Sequence, residues 1–155
     1  MKHTTLCYIE KDGAYLLLHR VKKEQDANAG KWIGIGGHLE EGETPEECLL
    51  REVYEETGLT LTEYRHVGDV SFYCEPWPPE VMHLFHATAF RGSLCKECRE
   101  GVLRWVDKGQ MASLPMWEGD KIFLKKLEEG GEPFTLSLYY EGERLAEARF
   151  GDKTD

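Results

Sequence analysis

The chain has 155 residues, enough for one compact domain that buries its own core. With 41% apolar and 31% charged residues it has the balance of a globular protein, and no apolar run is long enough to span a bilayer. A formal net charge of −10, from 29 acidic and 19 basic residues, argues against duplex nucleic acid as a partner, while a small polyphosphate stays compatible if metal ions offset the repulsion.

Residues 4–10 and 14–20 read as two strands joined at Asp12-Gly13, a strong hairpin signal. Residues 21–31 are polar and read as an exposed loop, followed by Trp32-Ile33-Gly34-Ile35-Gly36-Gly37, a short strand running into glycines. From Thr44 to Gly58 the helix punctuation is complete: Thr44 as N-cap, Pro45 at the first position, Glu47 closing a T-x-x-E capping box, and Gly58 as the C-terminal cap. Residues 60–74 and 81–90 alternate like sheet strands, with Glu75–Pro79 as a proline-stiffened hairpin loop, and 102–106 reads as a further strand. A second helix is expected over 118–129, where Ile122, Phe123, Leu124 and Leu127 fall at helical spacing, and 133–140 with 144–150 suggests a terminal hairpin. Strands outnumber helices and two helices can cover the faces, so the class is α/β with a mixed sheet in one domain, residues 1–155.

The N-terminus lacks the features of a secretory signal, which leaves the cytoplasm as the expected location. The five cysteines, an odd number without a secretion signal, read as reduced thiols. Cys95 and Cys98 form one C-x-x-C, with no further ligands nearby at zinc-site spacing.

The chemistry concentrates on the first helix. Glu52, Glu55 and Glu56, spaced i, i+3 and i+4, project within an arc of about 100°, and Leu49, Leu50, Val53 and Thr57 form the opposing, packing face. Three carboxylates this close destabilise a helix unless a positive group sits among them, and a hard divalent cation takes such oxygen ligands. Arg51 lies one turn before Glu55, placed to hold that carboxylate, and Gly36-Gly37 can bring the backbone close to a ligand.

Gly37 to Leu59, GHLEEGETPEECLLREVYEETGL, resembles the Nudix box, G-x5-E-x7-R-E-U-x-E-E-x-G-U with U aliphatic. Every constrained position is filled, by Gly37, Glu43, Arg51, Glu52, Val53, Glu55, Glu56, Gly58 and Leu59. The resemblance implies a Nudix-like α/β/α sandwich with a mixed central β-sheet, and hydrolysis of a nucleoside diphosphate linked to a further group. It also implies one or more Mg2+ or Mn2+ ions held by Glu52, Glu55, Glu56 and the Gly37 carbonyl, with Glu43 and Arg51 bracing the loop-helix geometry. Glu55 or Glu56 is the first candidate for the base and Glu100 the second; like charges among clustered carboxylates raise a pKa toward neutrality.

Beyond the box the chain is similar to the MutT-type diphosphatases that convert oxidised purine nucleoside triphosphates to monophosphates and pyrophosphate. Gly30 to Gly37 looks like the lead-in of those enzymes, and Glu100 falls where the family often places an extra metal-binding glutamate. Leu114 to Asp120 is similar to a segment that stacks and hydrogen-bonds the base, so Trp117, Asp120 and Phe72 are the base-site candidates, with Lys23 able to reach phosphate oxygens. Phe72 and Trp117 also fit core packing, Asp120 a first-turn helix residue, and Lys23 and Glu100 solvated charges. Two positions depart from the animal members: Ile33 replaces the lead-in asparagine, and Gly119 replaces one of two adjacent aspartates. The expected partner is a small nucleotide, not a duplex or a membrane, bound by a monomer or homodimer. The alternatives are another nucleoside-diphosphate-linked substrate, such as ADP-ribose, a dinucleoside polyphosphate or a nucleotide sugar, and a nucleotide-binding domain without hydrolysis.

Overall fold

The computed structural model describes residues 1–20, 30–95 and 101–151, and the backbone of 97–98. At the first turn Asp12 and Gly13 both take positive φ, 53° and 79°, the twist that matches a two-residue hairpin. That turn joins β1 (Lys2–Lys11) to β2 (Ala14–Arg20). Two short strands follow, β3 (Trp32–Ile33) and β4 (Ile35–His38), where the sequence suggested one. The break at Gly34 lets β3 pair with β2 and β4 with β1.

The first helix, α1 (Pro45–Thr57), starts and stops as its punctuation dictates. Thr44 Oγ1 accepts from the Glu47 amide at 3.1 Å, and Glu47 Oε1 accepts from the Thr44 amide at 3.0 Å. Gly58 closes the helix in the left-handed region at φ 81°. Beyond it lie β5 (Thr60–Cys74), β6 (Trp77–Arg91), β7 (Glu97–Cys98), β8 (Gly101–Asp107), α2 (Glu118–Glu129), β9 (Phe134–Glu141) and β10 (Arg144–Phe150). Among the described residues these strands form one sheet, ordered β10-β9-β5-β6-β1-β2-β8-β7, with β3 on β2 and β4 on β1. β1–β6 and β5–β9 are parallel and the other pairs antiparallel, so the sheet is mixed.

Strand alternation sends neighbouring side chains to opposite faces, and each face carries its own core. Leu49 and Val53 of α1 pack with Cys7, Leu16, Ile35 and Phe85 on one face. Phe123, Leu124 and Leu127 of α2 pack with Tyr8, Leu17, Leu84 and Leu136 on the other. Full burial of each such side chain contributes about 1.5–3 kcal/mol. The result is the expected helix–sheet–helix sandwich. No helix among the described residues is long and apolar enough to cross a membrane.

Three local expectations need correction. Leu50 does not belong to the packing face of α1: it is 38% exposed, and Cys48 is buried in its stead, because the helix meets the sheet about one residue earlier than the leucine pair suggests. Trp77 to Pro79 are not loop but the start of β6, since Cys74 pairs directly with Trp77. Lys31 is not part of an exposed loop: it is 8% exposed, because its side chain lies over Trp117.

Candidate active site

The sheet brings β4 against α1 at two glycines. A Cβ on Gly36 would stand 1.8 Å from the Thr5 carbonyl oxygen, so only glycine allows β4 to lie this close to β1. A Cβ on Gly37 would fall 2.4 Å from the Glu52 carboxyl carbon; that carboxylate occupies the space a side chain would need. Gly37, Glu52 and Glu56 then border one open cleft of about 590 Å³ with Thr4, Arg20 and Met82. Glu56 is buried on the helix, whereas Glu55 is solvent-facing and does not border the cleft.

Arg51 organises these acids. Its Nε and Nη2 hold the two Glu43 oxygens at 2.6 and 3.0 Å, a bidentate pair. Nη1 reaches Glu52 at 3.0 Å and Glu55 at 3.2 Å, and Nη2 also donates to the His38 carbonyl at 3.2 Å. One guanidinium therefore ties the pre-helix loop, β4 and two helix carboxylates together. Its hydrogen bonds hold the Glu43 carboxyl down at about 2, and the same pairing raises the arginine's own pKa. The contact to Glu55 follows from i, i+4 spacing on the helix, whereas the closer clamp on Glu43 depends on how the loop folds back.

The oxygen donors of Glu52, Glu56 and the Gly37 backbone suit a hard divalent cation, which prefers carboxylates and carbonyls. The side-chain-free approach at Gly37 provides room for a carboxylate and a backbone oxygen in the same place.

The base-site candidates meet on the α2 face. Phe72 on β5 and Trp117, just before α2, are in edge-to-face contact with ring centres 5.3 Å apart, and Tyr140 on β9 touches both at 5.2 and 4.8 Å. Lys31 places its ammonium 4.5 Å over the Trp117 ring and 3.2 Å from Glu143. Asp120, in the first turn of α2, is only 6% exposed. Burial pushes its carboxyl up to about 8, with the Lys31 charge pulling the other way.

Gly119, the departure from two adjacent aspartates, has a steric explanation. A Cβ there would meet Leu138 at 2.5 Å and the Tyr140 hydroxyl at 2.7 Å, and that hydroxyl accepts from the Gly119 amide at 2.7 Å. Lys31 is the functional candidate the sequence reading missed; its only local signal was its place between Gly30 and Trp32 in the lead-in. Lys23 and Glu100 lie outside the described residues.

A mixed sheet between two helices, with carboxylates of one helix opposed to a glycine backbone, is an arrangement suited to phosphoanhydride hydrolysis with a divalent cation. Family comparison makes the assignment specific: the chain belongs to the NUDIX domain family, whose model matches residues 2–127. It is 32% identical to an oxidized purine nucleoside triphosphate hydrolase from Danio rerio over 120 residues, covering 77% of this chain and 74% of that one. The corresponding hydrolase from Mus musculus is 34% identical over 107 residues, covering 68% and 67%. Among solved structures, a MutT protein from Bacillus halodurans superposes with a TM-score of 0.84 at 28% identity, covering 97% of both chains. The chain is thus a MutT-like Nudix hydrolase.

Proposed function

We propose that the protein hydrolyses an oxidised purine nucleoside triphosphate, with 8-oxo-dGTP as the leading substrate, to the monophosphate and pyrophosphate. The observation that carries this reading is the placement of Asp120, a carboxyl only 6% exposed whose amide donates to the Trp117 carbonyl at 3.0 Å; burial raises its pKa to about 8, which favours the neutral acid. A neutral acid donates one hydrogen bond and accepts another, a pairing suited to the polar edge of a purine, and Trp117 offers a ring for stacking. Trp117 is only 5% exposed, with Lys31 covering its ring, so stacking of a base there requires the lysine to move aside. The two vertebrate relatives, named for hydrolysis of oxidised purine nucleotides, support the same substrate class.

In this reading Glu52, Glu56 and the Gly37 carbonyl would hold Mg2+ or Mn2+ from the cleft, with Glu55, which faces solvent beside Arg51, and Glu100 as additional ligands and Lys23 on the phosphates. When bound, the ion neutralises charge on the phosphoryl oxygens and acidifies a coordinated water. Glu55 or Glu56 takes the proton from the attacking water as the new P–O bond forms and the bond to pyrophosphate breaks. Arg51 is a positioning residue, holding Glu52 and Glu55 at fixed distances from the loop. Turnover with Mg2+ and with Mn2+ is measured on 8-oxo-dGTP, dGTP, dATP, dCTP, ADP-ribose and a dinucleoside polyphosphate. The reading expects the highest kcat/KM for 8-oxo-dGTP; a preference for ADP-ribose or an unoxidised nucleotide refutes the base assignment.

A further inference from the structure

On the α1 face, well away from the box glutamates in sequence, β5 and β6 bring two imidazoles onto one carboxylate oxygen. Asp69 Oδ1 lies 2.9 Å from His66 Nε2 and 2.8 Å from His83 Nδ1. These three ligand atoms all lie within 4.8 Å of one another. His66 and Asp69 are three apart, a spacing that a regular strand sends to opposite faces. The register of β5 against β6 slips between His66 and Gly68, leaving Val67 as an extra residue that turns into the α2-side core. That bulge re-aims His66 to the side of Asp69.

The second nitrogen of His83 is held as well: Nε2 lies 3.0 Å from Nδ1 of His3 on β1, with the two rings nearly parallel at 9°. Histidines that ligate metals are fixed in this manner, the free ring N–H donating to a neighbouring acceptor. The cluster opens onto a cleft of about 400 Å³ bordered by Thr44, Pro45, Tyr64 and Phe85.

We infer that His66, Asp69 and His83 form a second metal site, selective for an imidazole-preferring ion of the zinc class and separate from the carboxylate site on α1. Bonds of about 2.0–2.1 Å at tetrahedral angles place ligand atoms roughly 3.3 Å apart, so the two imidazole–carboxylate distances open by a few tenths of an ångström while the two imidazole nitrogens, within 4.8 Å of each other, adjust by side-chain rotation. The fourth position faces the cleft and is left for water. Two imidazoles discriminate against Mg2+, which demands oxygen donors, so the two sites take different metals. The two sites open onto different clefts: Glu80 and Met82 of β6 border the carboxylate cleft, whereas His83 borders the cleft beside Thr44 and Pro45 at the start of α1.

Tag-free protein, with excess Mg2+ occupying the carboxylate site, is titrated with Zn2+ calorimetrically and with Co2+ as an absorbing probe. The expected result is about one equivalent of Zn2+ bound beyond the Mg2+ complement. His66→Gln, Asp69→Asn and His83→Gln each weaken that binding at least tenfold, and His3→Gln weakens it about 10- to 100-fold through loss of the ring brace. His66 is solvent-exposed, so His66→Gln folds normally and retains Mg2+-dependent turnover. Zn2+ affinity unchanged in these variants, stoichiometric displacement of Zn2+ by Mg2+, or loss of Zn2+ binding in Glu52→Gln overturns the inference.

Discussion

Replacing Asp120 by asparagine tests directly how this buried acid is held. Its carboxyl moves from an ordinary 3.8 up to about 8, driven by burial and opposed by Lys31. The folded protein therefore keeps the proton over a range in which the unfolded chain has released it. Below about pH 4 both states are protonated and the residue costs nothing; as pH rises from there to about 8, the unfolded state gains by ionising and stability falls. Each pH unit in that window is worth about 1.4 kcal/mol, so at pH 7 the wild-type acid costs roughly 4 kcal/mol relative to a side chain that never ionises. Asparagine has nearly the same shape and is neutral throughout. In urea titrations of wild type and Asp120→Asn at about pH 5, 6, 7 and 8, the stability difference should grow in favour of the variant by up to about 1.4 kcal/mol per unit. It should level off above about 8. A difference that stays constant with pH, or a wild type that gains on the variant at high pH, would show that Asp120 is ionised in the fold and paired with Lys31, refuting a neutral hydrogen-bond donor beside Trp117.

Other substitutions test the catalytic face. Gly37→Ala places a methyl group on the Glu52 carboxylate, which can swing away, so thermal stability should change little while kcat falls by at least tenfold. Glu56→Gln keeps the size of a buried side chain but removes its charge; turnover should fall by orders of magnitude with folding intact, as read by steady-state kinetics beside circular dichroism. Arg51→Lys cannot reproduce the bidentate hold on Glu43 together with contacts to Glu52 and Glu55, and kcat should fall while KM for the nucleotide changes little. Phe123→Ala empties a fully buried site under α2 and should cost about 3–5 kcal/mol in denaturant unfolding.

What the sequence disclosed was largely what neighbouring residues decide. The Thr44–Glu47 capping box, the Gly58 cap and the Asp12-Gly13 turn act within a few residues, and each is present in the structure as written in the chain. α2 was equally legible, since its apolar spacing and its burial coincide from Glu118 to Glu129. The carboxylates were legible through the box pattern, but not their division of labour. Glu56 is buried and Glu55 exposed because of how α1 rolls against the sheet, which the arc of three glutamates does not specify. The parallel pairings of β1 with β6 and β5 with β9 join segments far apart in the chain, and no local signal announces them. Lys31 as a candidate, and the burial of Asp120, were obscured for the same reason: they depend on Trp117, Tyr140 and the C-terminal hairpin arriving from elsewhere. His66 and Asp69 have the wrong spacing for one face until the bulge at Val67 is known.

The hairpin of β9 and β10 has an evolutionary consequence. It lies beyond residue 127, where the family match ends, yet Leu138 and Tyr140 shape the surroundings of Gly119, and Glu143 anchors Lys31. The box carboxylates are encoded upstream, on α1 and its loop, whereas part of the surroundings of Trp117 and Gly119 is encoded in the C-terminal hairpin. If the base is held at Trp117 and Asp120 as proposed, mutations in that hairpin change what the site admits while the box carboxylates stay untouched. A lineage with this layout can change its diet without relearning its chemistry.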